Sequence, residues 1–172
     1  KKIYVNSDKS LSIRAILLAS QAVGVSKIYN LLESEDVINA IKALKKLGIK
    51  IIKKKNFFEI YGKGLNGYSP KKKETIYAGN SGTFGRLILS ALIKTNANVK
   101  IIGDKSLSKR DFYRIIEPLR KFGANIKSKN NCLPINIEGS KFLRPIKYIE
   151  KLGSAQCKSA VMIAALNTPG IT

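Results

Sequence analysis

Two stretches of this chain are copies of one pattern, and that repetition limits the possible folds more than any other feature. "ALKKLGIKIIKKKNFFEIYGKG" begins at Ala43 and "PLRKFGANIKSKNNCLPINIEG" at Pro118. At an offset of 75 residues, Leu44 aligns with Leu119, Gly48 with Gly123, Ile51 with Ile126, Asn56 with Asn131 and Ile60 with Ile135. Both copies read as a helix end, a glycine cap, a strand, a tight turn and a second strand. Copies at a fixed period build a shared core instead of folding alone.

A second register precedes each copy. Arg14, Arg86 and Lys158 are spaced by 72 and 72 residues. Each lies early in a helical pattern that follows a small-residue turn: "NSDKSLSIR", "GNSGTFGR" and "GSAQCKS". Each turn follows a strand-like piece, "IYV", "TIYA" or "IKYIE". The unit is strand, cationic turn, helix, strand, helix, strand, strand: an α/β (α+β) chain of βαβαββ repeats. Repeat one covers residues 1–68 and repeat two 74–141. A third opens at residue 146 and stops in mid-pattern, at 172. Within the first unit, helices are expected over residues 10–22 and 36–47. In the second of these, Val37, Ile41, Leu44 and Leu47 form one apolar stripe with lysines opposite.

The composition bears on the ligand. The 172 residues carry 32 Lys and Arg against 11 Asp and Glu, a net charge of +21, which favours anionic partners. No apolar run approaches the roughly 20 residues of a membrane-spanning helix. The chain starts "KKIYV" without a signal pattern and without an initiator Met, so it reads as a cytoplasmic fragment. Cys132 and Cys157 have no metal-binding spacing and imply no disulfide framework, and Cys157 on an apolar helix reads as packing.

A helix N-terminus carries unpaired N–H groups and a partial positive charge, and small residues let an anion approach it. Taken singly, "SDKS" and "GNSGT" are ordinary helix caps, Lys158 is a snorkelling surface lysine and Arg110 a charged loop residue. Recurring in order, with a cation in each helix, they point to three helix ends gathered around a small, multiply charged molecule.

Five segments resemble, in order, the N-terminal half of the 3-phosphoshikimate 1-carboxyvinyltransferase (EPSP synthase) family: "SDKSLSIR", "LLESEDVINAIKALKKLG", "GNSGTFGRL", "GDKSLSKR…IIEPLRKFGA" and "GSAQCKSAVMIAAL". The resemblance implies one domain of the two-domain enolpyruvyl transferase fold, with helices inside, sheets outside and the active site between the domains. It implies transfer of the enolpyruvyl group of phosphoenolpyruvate to the 5-hydroxyl of shikimate 3-phosphate, on the route to chorismate and the aromatic amino acids. Phosphate leaves by addition and elimination. The implied enzyme is a monomer, needs no metal or organic cofactor, and binds neither nucleic acid nor membrane. By this resemblance Lys9 lies where the two substrates meet, and Ser10, Arg14, Ser154 and Gln156 hold shikimate 3-phosphate. Asn80, Gly82 and Arg110 serve phosphoenolpyruvate, whose place the family's inhibitor glyphosate takes. Thr83, Arg86 and Lys158 are further candidates.

Two positions depart from the family pattern. Asn6-Ser7 stands where Pro-Gly is usual, and Ile13 replaces a polar residue before Arg14. The family's acid/base carboxylates and further arginines lie in its second half, so this chain alone is expected not to turn over. The related transferase acting on UDP-N-acetylglucosamine is the nearest alternative. It usually has Lys-Asn where this chain has Lys9-Ser10, and a reactive cysteine on the loop corresponding to residues 103–110, where none occurs. A basic nucleic-acid-binding module is the alternative of another class. The 8% aromatic content shows no basic–aromatic ladder to support it.

Overall fold

The structure, a computed structural model, describes residues 7–151 and 153–172. The strand-like "IYV" and Asn6 fall outside the described residues. Three helices form the centre: α1 (Lys9–Gln21), α3 (Gly82–Ala91) and α5 (Ala155–Leu166). The α3 helix packs against both α1 and α5. Two more helices, α2 (Glu35–Lys46) and α4 (Tyr113–Phe122), lean on α1 and α5 respectively.

Among the described residues seven strands form two sheets. The first holds β1 (Val23–Tyr29), β2 (Lys50–Lys53) and β3 (Phe57–Lys63) in the order β1-β3-β2, all antiparallel. The second holds β4 (Lys73–Tyr77), β5 (Asn98–Ile102), β6 (Asn125–Lys129) and β7 (Cys132–Glu138) in the order β4-β5-β7-β6. Strands β4 and β5 run parallel, because α3 carries the chain across between them.

Local chemistry explains the elements. Asp8, Ser81 and Ser154 cap the three central helices, each side chain accepting a backbone N–H three residues on. Gly123 ends α4 in the left-handed conformation at φ 112°, which costs a glycine little. The sheets cover the central helices with their inner residues, among them Phe58, Ile60, Ile101, Ile135 and Ile137. At Gly62 a Cβ would stand 2.3 Å from the carbonyl oxygens of Ala19 and Ala22, so β3 lies directly on the end of α1. The α3 helix is buried at every residue except Arg86.

Ile13 is 0% exposed in the core. Its departure from the family's polar residue is therefore a packing choice, and burying such a side chain contributes about 1.5–3 kcal/mol. Cys157 is buried in the same core. One expected element is absent: residues 146–150 form no strand. Leu143, Ile146 and Tyr148 press on the core from an irregular segment, which pairs with no strand of either sheet. Among the described residues it has no ladder partner, and a strand-like segment without one does not make a strand.

Candidate active site

The site is built where three helices begin. The caps Asp8, Ser81 and Ser154 are spaced by 73 residues, so equivalent helical positions also differ by 73. The second residues of the helices are Ser10, Thr83 and Gln156, and they meet. Gln156 Nε2 donates to Thr83 Oγ1 at 3.1 Å, and Thr83 Oγ1 lies 3.5 Å from Ser10 Oγ. The three helix N-termini therefore converge on one face. None of the three has an acidic residue in its first turn, whereas α2 has Glu35 and Asp36 there. Acidic groups at a helix start offset the dipole; the Asp8 carboxylate does so in part at α1, whereas α3 and α5, capped by neutral serines, keep their positive field for something else.

The cations do not occupy equivalent places. With caps 73 apart and cations 72 apart, Arg14, Arg86 and Lys158 are the sixth, fifth and fourth residues of their helices. Each step of one residue turns a side chain by about 100°. Arg14 therefore reaches across to α5, where Nε donates to Ser159 Oγ at 3.3 Å, and Nη1 donates to the Ser10 carbonyl at 3.2 Å. Arg86 donates to Gln156 Oε1 at 3.0 Å and to the Asp111 carbonyl at 3.1 Å, with its guanidinium 4.9 Å from the Phe112 ring centroid. The Lys158 side chain is turned out to solvent and has no hydrogen-bond or ion-pair partner among the described residues.

A second polar cluster adjoins the start of α3. Arg110 Nη2 donates to Asn80 Oδ1 at 2.9 Å, and Asn80 Nδ2 donates to Asp104 Oδ2 at 2.6 Å. The other Asp104 oxygen accepts the Leu107 N–H at 2.6 Å, which winds the Leu107–Lys109 turn and delivers Arg110. That backbone bond first, and the Asn80 amide second, hold the Asp104 carboxyl below its usual range. A side chain at Gly82 would stand 2.7 Å from Arg86 Nη1 and 3.2 Å from Arg110 Nη1. The two guanidiniums thus come within about 6 Å of each other over a bare glycine. Burial, and then the charge of Arg110, lower the Arg86 pKa. Like charges held this close over a helix N-terminus are suited to an anion between them.

Lys9 stands apart from this network. It forms an ion pair with Asp36 of α2 at 2.8 Å and is half-exposed. Ser159, Asp111 and Phe112 are partners that motif reading did not single out, and so are the carboxylates of Asp36 and Asp104. Asp104 had a local signal, since an aspartate three residues before an N–H is a capping pattern. Asp36 had none, because Lys9 and Asp36 meet only through packing of α2 on α1. The network also borders a hollow of about 140 Å³ lined by Arg86, Arg114, Ser154 and Gln156 among others. A larger hollow of about 550 Å³, lined by Lys72, Lys94 and Lys141, lies beyond the C-terminal end of α3 and does not touch these groups.

The family profile described as EPSP synthase (3-phosphoshikimate 1-carboxyvinyltransferase) matches residues 1–172. The chain belongs to the EPSP synthase family. The 3-phosphoshikimate 1-carboxyvinyltransferase of Streptococcus mutans serotype c is 42% identical over 170 residues, covering 98% of this chain and 40% of that protein. The protein of the same name from Ruthia magnifica subsp. Calyptogena magnifica is 44% identical over 170 residues, covering 99% of this chain and 39% of its own length. The solved EPSP synthase of Acinetobacter baumannii superposes with a TM-score of 0.89 at 35% identity, over 100% of this chain and 40% of that one. The chain thus spans about two fifths of the length of these EPSP synthase relatives. Among the described residues no helix is long and apolar enough to cross a membrane.

Proposed function

We propose that the full-length protein transfers the enolpyruvyl group of phosphoenolpyruvate to the 5-hydroxyl of shikimate 3-phosphate, and that this chain supplies one wall of the cleft. The hydroxyl oxygen adds to the substituted vinyl carbon of phosphoenolpyruvate while the terminal carbon takes a proton. Loss of that proton and of phosphate then leaves the enol ether and inorganic phosphate. The observation that carries this reading is the meeting of Ser10, Thr83 and Gln156 at three helix N-termini without first-turn acids, beside the Arg86 and Arg110 pair.

In this reading Ser10, Arg14, Ser154 and Gln156 hold shikimate 3-phosphate, with the planar fork of Arg14 suited to a carboxylate. Asn80, Gly82 and Arg110 hold phosphoenolpyruvate, or glyphosate in its place, and Arg110 grips the phosphate. Lys9 bridges the two substrates. Donors set in advance around developing charge stabilise the addition transition state. Repeats 1–68 and 74–141 are two units of one domain and residue 146 opens the third. A second domain provides the carboxylates that move protons. The enzyme works as a cytoplasmic monomer on these two small anions.

The test is calorimetry on the full-length protein with shikimate 3-phosphate and with shikimate. The phosphate ester binds at least about tenfold more tightly, the effect of one charge-assisted contact. Equal affinities would overturn the assignment.

A further inference from the structure

Gln156 carries the chemistry of this proposal, and its amide is held from both ends by one helix. Oε1 accepts from Arg86 at 3.0 Å and Nε2 donates to Thr83 at 3.1 Å, both residues of α3. The last torsion of a glutamine is broad and two-fold, so nothing intrinsic to Gln156 chooses which amide atom faces which way. Thr83 does not choose either, because a hydroxyl both donates and accepts. Arg86 does choose: a guanidinium only donates, so the carbonyl oxygen must turn to it.

Arg86 is in turn firmly placed. The Asp111 carbonyl accepts from it, the Phe112 ring lies beneath it, and the Asp111 carboxylate is occupied with the Tyr113 N–H at 2.7 Å. No carboxylate pairs with Arg86 among the described residues, although it is half-buried and shares the space over Gly82 with Arg110. A half-buried cation without a carboxylate partner costs some desolvation that packing alone does not explain.

We propose that Arg86 is a positioning residue: it fixes the amide of Gln156 so that an N–H, and not the carbonyl, faces the converging helix ends. Through Gln156 it ties the shikimate 3-phosphate wall to the start of α3, where phosphoenolpyruvate belongs. The inference rests on the functional reading above. Reversing the amide would aim a carbonyl oxygen at an anionic ligand, and Gln156 would then repel it.

The test is a double-mutant cycle on the full-length protein, read as affinity for shikimate 3-phosphate. Arg86→Ala and Gln156→Ala are each expected to weaken binding about tenfold or more. The double variant is expected to bind shikimate 3-phosphate within about twofold of Gln156→Ala, because Arg86 acts on this ligand through that amide, while its charge beside Arg110 faces the phosphoenolpyruvate side. Arg86→Lys, whose ammonium also only donates, is expected to recover most of the loss. Additive losses, an unchanged affinity for Arg86→Ala, or no recovery in Arg86→Lys would each overturn the proposal. If Arg86→Ala lowers the thermal midpoint, the outcome is read from Arg86→Lys and Gln156→Ala instead. Arg14→Ala distinguishes this inference from the functional reading beneath it. If it weakens binding while the Arg86 series does not behave as described, only this inference fails. If the unaltered protein does not bind shikimate 3-phosphate, the functional reading fails and takes this inference with it.

Discussion

Replacing Gly82 by alanine puts one methyl group between the two guanidiniums of the site. The new Cβ would lie 2.7 Å from Arg86 Nη1 and 3.2 Å from Arg110 Nη1. Both obstructing atoms end long, flexible side chains, so the guanidiniums move and the helix stays. Arg86 Nη1 is the atom that donates to Gln156, and a charged hydrogen bond contributes about 1.5–3 kcal/mol. Its loss weakens shikimate 3-phosphate binding roughly ten- to hundredfold in the full-length protein. Arg110 needs to give by only a few tenths of an ångström, so phosphoenolpyruvate affinity falls less. Glyphosate is longer than phosphoenolpyruvate, and the methyl crowds it more. The thermal midpoint falls by a few degrees, because the Arg86–Gln156 bond is made within the folded protein and the smaller freedom alanine loses on folding, about 0.4–1 kcal/mol, offsets only part of it. The assay is calorimetry with shikimate 3-phosphate, plus a glyphosate inhibition series against phosphoenolpyruvate, on both forms. Unchanged shikimate 3-phosphate affinity together with an unchanged inhibition constant would refute the claim that the two guanidiniums fill the space of the missing side chain.

Arg14→Ala removes a cation held by Ser159 and the Ser10 carbonyl, and is expected to weaken shikimate 3-phosphate binding by about 1.5–3 kcal/mol with little change in thermal midpoint. Calorimetry and thermal denaturation check the two parts. The 172-residue chain alone is expected to release no phosphate from the two substrates together, since the carboxylates that move protons are expected in the second domain. Release above that of a Lys9→Ala control contradicts this. Asp104 has a folded-state pKa below its ordinary 3.8. The native state therefore binds fewer protons, and the stability this contributes is full above pH 3.8 and fades as the pH falls through the lowered value. Asp104→Asn should lower the midpoint at pH 7, and the gap from the unaltered protein should close in acid. A gap that is independent of pH would show that the carboxylate charge is not what holds the 104–110 turn.

What could be read along the chain was what neighbouring residues decide among themselves. The expected helices over 10–22 and 36–47 appear at Lys9–Gln21 and Glu35–Lys46. The paired hairpins appear at β2–β3 and β6–β7. Caps, glycine conformations and the 3.6-residue stripe of Val37, Ile41 and Leu44 act within a turn or two, so they survive without tertiary context. Asn80, Arg110 and Gln156 were singled out by the family resemblance, and the fold sets Asn80 and Gln156 beside the starts of α3 and α5.

Packing decided the rest. The strand-like residues 146–150 pair with no strand among the described residues. Lys9 found Asp36 because α2 lies on α1. The cations at even spacing of 72 looked equivalent, yet the caps at 73 rotate each one to a different partner, leaving Lys158 in solvent. Ser10, Thr83 and Gln156 lie 73 residues apart in the chain and a few ångströms apart in space, since three buried helices start side by side. Local chemistry could mark each helix end as anion-ready. Only the burial of α1, α3 and α5 against one another, under two sheets, could bring those ends to one place.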